Sequence, residues 1–241
     1  MFIVIKNYFC GQNVQFLKLI FALLMHSFTE ENYLKTIYYL ETRQGTEVTT
    51  NALAEMTATK AASVTDMLRK LADKQLIHYR KYQGVRLTEE GTRLALKIIR
   101  RHRLWEVFLV QKLGFGWDEV HNMAEELEHV RSDELVERLD QYLEHPQFDP
   151  HGDPIPTPAG TMPSTGYQKL SEVPTGSEVC IMGVLEHSPE FLQHLARMGL
   201  TLGCSLLLRE INAFDKSLLV QIQPETALFV SHDVARNLLV A

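Results

Sequence analysis

The sequence predicts a mainly α-helical chain that ends in a small β domain and begins with a winged helix-turn-helix. Three observations carry this. Helical spacing of apolar residues dominates 29–145; two short helices within it are joined by a tight turn; and after a proline-rich stretch the repeat changes to strand-like alternation. The 241 residues leave room for one large domain or several small ones. At 45% apolar and 22% charged, the composition excludes disordered, collagenous and disulfide-built chains. Cys10, Cys180 and Cys204 form no CxxC pair, which fits reduced thiols in a cytoplasmic protein.

The elements follow in order. Residues 1–26 form an apolar extension, interrupted by Lys18 and too short in its apolar core to cross a bilayer. It reads as dispensable, with Met25 as the natural start, rather than as a membrane anchor. Ser27-x-x-Glu30 is a capping box, and Tyr33, Ile37 and Leu40 then repeat at helical spacing, predicting a helix over 29–43. Thr50–Met56 and about Thr59–Asp73 follow as two helices around a Thr57-Ala58 turn. Residues 76–82 and 85–88 read as a hairpin turning at Gln83-Gly84, which makes the wing. From Thr88 a long helix reaches about Leu113, with Leu94, Ile98, Trp105 and Leu109 as its buried stripe. Gly114-Phe-Gly breaks it; helices over about 117–130 and from Ser132 to before His145 follow.

Six of the nine prolines fall within 146–163, predicting an extended linker. Beyond it, strands are expected at 178–185, 205–211, 218–222 and 226–230, with a helix at 189–198 among them, forming a small β-barrel. The expected domains are therefore 1–26, the extension; 27–91, the winged helix; 92–145, a helical domain; 146–166, the linker; and 167–241, the β domain.

Charge is segregated along the chain. The formal net charge is −6, yet residues 27–104 carry 14 Lys/Arg against 9 Asp/Glu, and residues 105–145 carry 3 against 11. A basic block beside an acidic, histidine-containing one suggests a nucleic-acid surface next to a cation-binding one. The second helix of the helix-turn-helix offers Lys60, Ala62, Ser63, Thr65, Asp66, Arg69 and Lys70 to a major groove. Arg80 and Lys81 on the wing can reach a phosphate backbone. Asp66 is the awkward member, since phosphates repel a carboxylate unless it accepts from a cytosine amino group.

The metal signal is sharper. His102 and Glu106 sit one helical turn apart, and His102 lies beside the apolar stripe, where an unsatisfied imidazole costs free energy. His121, Glu125, Glu128 and His129 fall on one helix within an arc of roughly 100°. Three carboxylates and three imidazoles on two helices pack together cheaply only around cations. The set is oxygen-rich and lacks cysteine, favouring Mn²⁺ or Fe²⁺ over structural zinc.

The stretch 29–41, the segment Arg101-His-Arg-Leu-Trp-Glu106, the runs at 120–121 and 128–134, and the linker run His151-Gly-Asp-Pro-Ile-Pro156 resemble the diphtheria-toxin-repressor family of metal-dependent regulators. The resemblance spans 27–241. It implies a homodimer, a winged helix bound to double-stranded operator DNA, a helical dimerisation and metal-binding domain, and a C-terminal SH3-like, FeoA-type domain. It implies repression of metal-uptake genes when metal is plentiful. His102, Glu106 and His121 match the family's ancillary metal site; Asn32, Glu125, Glu128 and His129 match the regulatory one. Iron-sensing members carry Met and Cys where this chain has Asn32 and Glu125, and manganese-sensing members share the Glu. The metal indicated is therefore Mn²⁺, with Fe²⁺ as the alternative. Asn32 departs from both patterns, its amide oxygen ligating without charge. Glu186, His187 and Glu190 occupy the region from which some members' C-terminal domain adds ligands. No HExxH, G-x-S-x-G or phosphate loop supports the competing reading of a metalloenzyme.

Overall fold

The computed structural model describes residues 27–80, 84–222 and 226–241. The N-terminal extension and Lys81 lie outside the described residues. The chain divides into two compact units, residues 1–95 and 96–241.

In the first unit, helix α1 (Phe28–Gln44) opens on the expected capping box. Ser27 Oγ accepts from the Glu30 amide, and the Glu30 carboxylate accepts from the Ser27 amide. Gly45, at φ +64°, closes the helix in the left-handed conformation that glycine adopts without strain. Helices α2 (Thr50–Met56) and α3 (Ala61–Asp73) form the helix-turn-helix. Lys60 is the N-cap of α3, so the helix begins two residues later than the spacing suggests. Strands β1 (Ile77–Arg80) and β2 (Gly84–Leu87) pair antiparallel as the wing, and Val48 bridges to Val85 beside them. Leu34, Ile37, Leu53, Val64, Leu68, Leu71 and Val85 are buried in one apolar cluster.

Helix α4 (Glu89–Leu113) runs on into the second unit, followed by α5 (Val120–Leu127) and α6 (Asp133–Tyr142). Helix α5 is shorter than predicted. Residues 117–119 form a turn, and Glu128 caps the helix end, with the Val130 amide tightening onto the Leu127 carbonyl. Of the four ligand candidates expected on one helix, only His121 and Glu125 are helical; Glu128 and His129 belong to the turn that follows.

The C-terminal part is a six-stranded antiparallel sheet in the order β3-β8-β4-β5-β6-β7. Its strands are β3 (Gln168–Lys169), β4 (Glu178–Val184), β5 (Ser205–Ile211), β6 (Leu218–Ile222), β7 (Thr226–Val230) and β8 (Leu238–Val240). Helices α7 (Pro189–Met198) and α8 (His232–Ala235) accompany it over a core that includes Ile181, Leu192, Leu195, Leu208 and Val220. Strands β3 and β8 and helix α8 were not foreseen.

The proline-rich stretch is more than a connector. It folds into a strap held by α4 on one side and by β4 on the other. Arg100 donates to the Pro156 carbonyl at 2.7 Å, and Arg103 pairs with Asp149 and Asp153 at 3.4 and 2.8 Å. The Val184 amide donates to the His151 carbonyl at 3.0 Å. Gly152, at φ +86°, crosses β4 so closely that a Cβ would sit 2.0 Å from the Met182 carbonyl oxygen. No helix among the described residues is long and apolar enough to cross a membrane.

Candidate metal centre and nucleic-acid interface

The Glu106 carboxylate is the hub of the second unit. One α-helical turn separates it from His102, whose Nε2 lies 3.0 Å from Glu106 Oε1. The other His102 nitrogen, Nδ1, lies 2.6 Å from Glu128 Oε2, so this buried imidazole bridges two carboxylates. His121 Nδ1 comes to 3.5 Å from Glu106 Oε1, and His151 Nδ1 to 3.7 Å from Oε2. Ligand atoms of His102, Glu106 and His121 lie within 4.8 Å of one another, and so do those of Glu106, Asp149 and His151. Glu106 belongs to both sets.

Burial and charge oppose each other here. Burial pushes the Glu106 carboxyl up, but the His102, His121 and His151 imidazoles around it hold it well below the usual carboxylate range. Asp149 goes the other way: burial, with the neighbouring Asp153 and Glu106 carboxylates, raises it to about 7 against the pull of Arg103 and His151. Burial depresses His151, yet Glu106 and Asp149 outweigh it and raise the imidazole to about 9. His187, stacked on His151 at 4.6 Å, is lowered chiefly by burial.

These residues suit a divalent cation. His121 Nδ1 and His151 Nδ1 are buried polar atoms without a hydrogen-bond partner, and both face Glu106. His151 Nε2–H donates to the Trp117 carbonyl at 2.7 Å, which leaves the Nδ1 lone pair for a ligand in the neutral ring. The Asp149 carboxylate is aimed by the His151 and Asp153 amides, at 2.8 and 3.0 Å. A cleft of about 310 Å³ beside His121 and His187 opens the region to solvent.

The structure brings together His102, Glu106 and His121 as the sequence suggested, and adds Glu128, which had been grouped with the other set. Glu125 is half exposed with its carboxylate 3.8 Å from His121 Nε2, and His129 Nε2 is 3.9 Å from Glu128 Oε1. Asn32 lies on α1 in the first unit, its Oδ1 buried without a hydrogen-bond partner. Of the three C-terminal candidates, His187 lies against His151, Glu186 accepts from the Ser188 amide, and Glu190 is exposed in the first turn of α7. Sequence reasoning missed Asp149 and His151 as candidate ligands. A histidine two residues from an aspartate among prolines was the available signal, but nothing local places them beside Glu106.

In the first unit, α3 presents Lys60, Ala62, Ser63, Asp66, Arg69 and Lys70 to solvent, with Thr65 half-buried and back-bonded to the Ala61 carbonyl. Asp66 is paired with Arg69 at 3.2 Å, which reduces the repulsion expected of it. Lys70 forms an ion pair with Glu30, and Arg80 is exposed on the wing.

A winged helix joined to a helical unit with a buried His/carboxylate cluster defines a metal-dependent DNA-binding regulator. Residues 25–85 match the family described as iron dependent repressor, N-terminal DNA binding domain. Residues 88–157 match iron dependent repressor, metal binding and dimerisation domain, and 168–241 match the FeoA domain. The iron-dependent repressor IdeR of Mycobacterium tuberculosis (strain ATCC 25618 / H37Rv) is 34% identical over 161 residues, covering 64% of this chain and 70% of that protein. The diphtheria toxin repressor of Corynebacterium glutamicum is 34% identical over 128 residues, 53% of this chain and 56% of its own. Among solved structures, a manganese-dependent transcriptional repressor in complex with manganese superposes with a TM-score of 0.81 at 34% identity, covering 88% of this chain and 99% of that one. ScaR with bound Zn²⁺ gives 0.73 at 31% identity, with 88% and 98% covered. The chain belongs to the diphtheria-toxin-repressor family of metal-dependent, DNA-binding transcriptional repressors, which are regulators and not enzymes. Its DNA-binding and dimerisation domains imply operator DNA and a homodimer.

Proposed function

We propose that this chain is a cytoplasmic Mn²⁺-responsive repressor of metal-uptake genes. The observation that supports the reading best is the Glu106 carboxylate among His102, His121 and His151, with two buried imidazole nitrogens left without hydrogen bonds. His102, Glu106, His121, Asp149 and His151 would hold divalent metal there; Asn32, Glu125, Glu128 and His129 are the second proposed set. The bound ion supplies positive charge that neutralises carboxylates packed against one another. Oxygen and imidazole donors without thiolate suit Mn²⁺, and the manganese-dependent structural relative supports that choice.

In this reading Arg103 and the Trp117 carbonyl aim Asp149 and His151, and Glu128 orients His102. Lys60, Ala62, Ser63, Thr65, Asp66, Arg69 and Lys70 face the major groove, with Arg80 and Lys81 on the flanking phosphates. Two copies present two such helices to two half-sites. Metal and operator then strengthen each other's binding by the same factor.

The iron-dependent names of the mycobacterial relatives favour a second reading, Fe²⁺ as the effector. Anaerobic titrations of operator affinity with Mn²⁺, with Fe²⁺ and under chelation test both. The manganese reading expects saturating Mn²⁺ to tighten operator binding at least about fivefold, at lower free metal than Fe²⁺ requires. Equal affinity under chelation overturns metal dependence, and the reverse metal order selects iron.

A further inference from the structure

We propose that Glu30 is a positioning residue that fastens the first turn of α1, which carries Asn32, to the recognition helix α3, so that the two move as one body. The proposal rests on the reading above, in which Asn32 is a metal ligand.

Glu30 is fully buried, yet its carboxylate is not a simple helix cap. Its Oε2 accepts from the Ser27 amide at 2.7 Å and from Lys74 Nζ at 2.9 Å, and its Oε1 lies 3.1 Å from Lys70 Nζ. Lys70 stands in the last turn of α3, and Lys74 is that helix's C-cap. Three residues further along α1, the buried Tyr33 reaches the other end of α3. Its hydroxyl lies 3.1 Å from Thr59 Oγ1, one residue before the N-cap Lys60. The turn 30–33 is therefore attached at both ends of the recognition helix, and Asn32 lies between the two attachments.

The physical consequence follows from what such contacts do well. A buried ion pair contributes little net stability, because desolvating the charges offsets their attraction. It does fix geometry, since a carboxylate held by two ammonium groups and an amide has few alternative arrangements. A displacement of the Asn32 turn of even part of an ångström is then delivered to α3 without being absorbed in soft side-chain contacts. Lys70, exposed on the same helix, is held by this attachment on the face that the reading above turns to DNA.

Glu30→Gln keeps the shape and the Ser27 bond but removes the charge that holds two lysines. The measurement uses the full chain, Mn²⁺, and a duplex selected from random-sequence DNA by the Mn²⁺-loaded protein. Three quantities are read: Mn²⁺ affinity without DNA, duplex affinity under chelation, and the factor by which Mn²⁺ tightens the duplex. The expected result is that this factor falls from at least about fivefold towards 1, with the first two quantities within about twofold of wild type. Lys74→Met should lower the factor in the same direction and Lys74→Arg should restore it, which a general loss of stability would not reproduce. Where Glu30→Gln unfolds the chain, the Lys74 pair decides. A wild-type gain that survives in both Glu30→Gln and Lys74→Met overturns the attachment alone. A wild-type chain with no Mn²⁺-dependent gain overturns the functional reading and this proposal with it.

Discussion

The two units bury different things. The first unit, the head, encloses Leu34, Leu53, Val64, Leu68 and Leu71 in an apolar core, buries Glu30, Glu31 and Lys35 on α1 beside it, and turns its other lysines and arginines mostly outward. The second unit, beside its own apolar clusters, buries Arg101, His102, Arg103, Glu106, Glu128, Asp140, Asp149 and His151. An apolar core is complete without any partner, whereas this polar interior is only partly satisfied by its own groups. The head should thus fold on protein contacts, and the second unit should gain most of its response from a bound cation.

The sharpest way to break this contrast is Glu106→Ala. It should weaken Mn²⁺ binding by more than the roughly 10–100-fold typical of outer-shell partners. It should also cost about 3–5 kcal/mol, because buried imidazoles lose the carboxylate that compensates them. Isothermal titration and chemical denaturation read the two effects. Leu68→Ala is the opposite probe. It should cost about 2–5 kcal/mol in the head while leaving Mn²⁺ affinity within twofold; a large metal defect would erase the distinction between the units.

Adding Mn²⁺ at about 100 times its Kd should stabilise the second unit by ~2.7 kcal/mol, visible by calorimetry as an upward shift of its unfolding transition. A pH series sharpens the same point. His151 is raised to about 9, so in the metal-free protein its stabilising contribution is complete below its ordinary value of 6.5 and lost as pH climbs through 9. Asp149, raised to about 7, likewise loses its contribution as pH rises through 7. Metal must displace the His151 proton, so affinity should rise roughly tenfold per pH unit between 7 and 9, while metal-free stability falls. Parallel slopes would refute the assignment of His151. The smallest effect belongs to the head: Lys60→Ala should reduce the salt slope of DNA binding by about 1.

The same contrast explains what could be read from the sequence. Helices α1, α2, α4 and α7 and strands β5, β6 and β7 carry strong local periodicity or caps, and their positions were evident. Strands β3 and β8 are two and three residues long and hold no repeat; they exist because β8 pairs with β4 across the sheet. The grouping of His102, Glu106 and His121 was legible from helical spacing. Placing Glu128 beside His102 was not, because α5 ends at Leu127 and the following turn redirects the carboxylate. Asp149 and His151 were hidden for a related reason. Their approach to Glu106 depends on the strap packing against β4 at Gly152, a contact between segments some thirty residues apart.

Anomalous scattering from crystals of the full chain grown with Mn²⁺ would locate the ion itself. A manganese peak bonded to the Glu106 carboxylate and to a nitrogen of His121 or His151 is expected. Density showing those three side chains bonded only to protein or water, at saturating Mn²⁺, would contradict it.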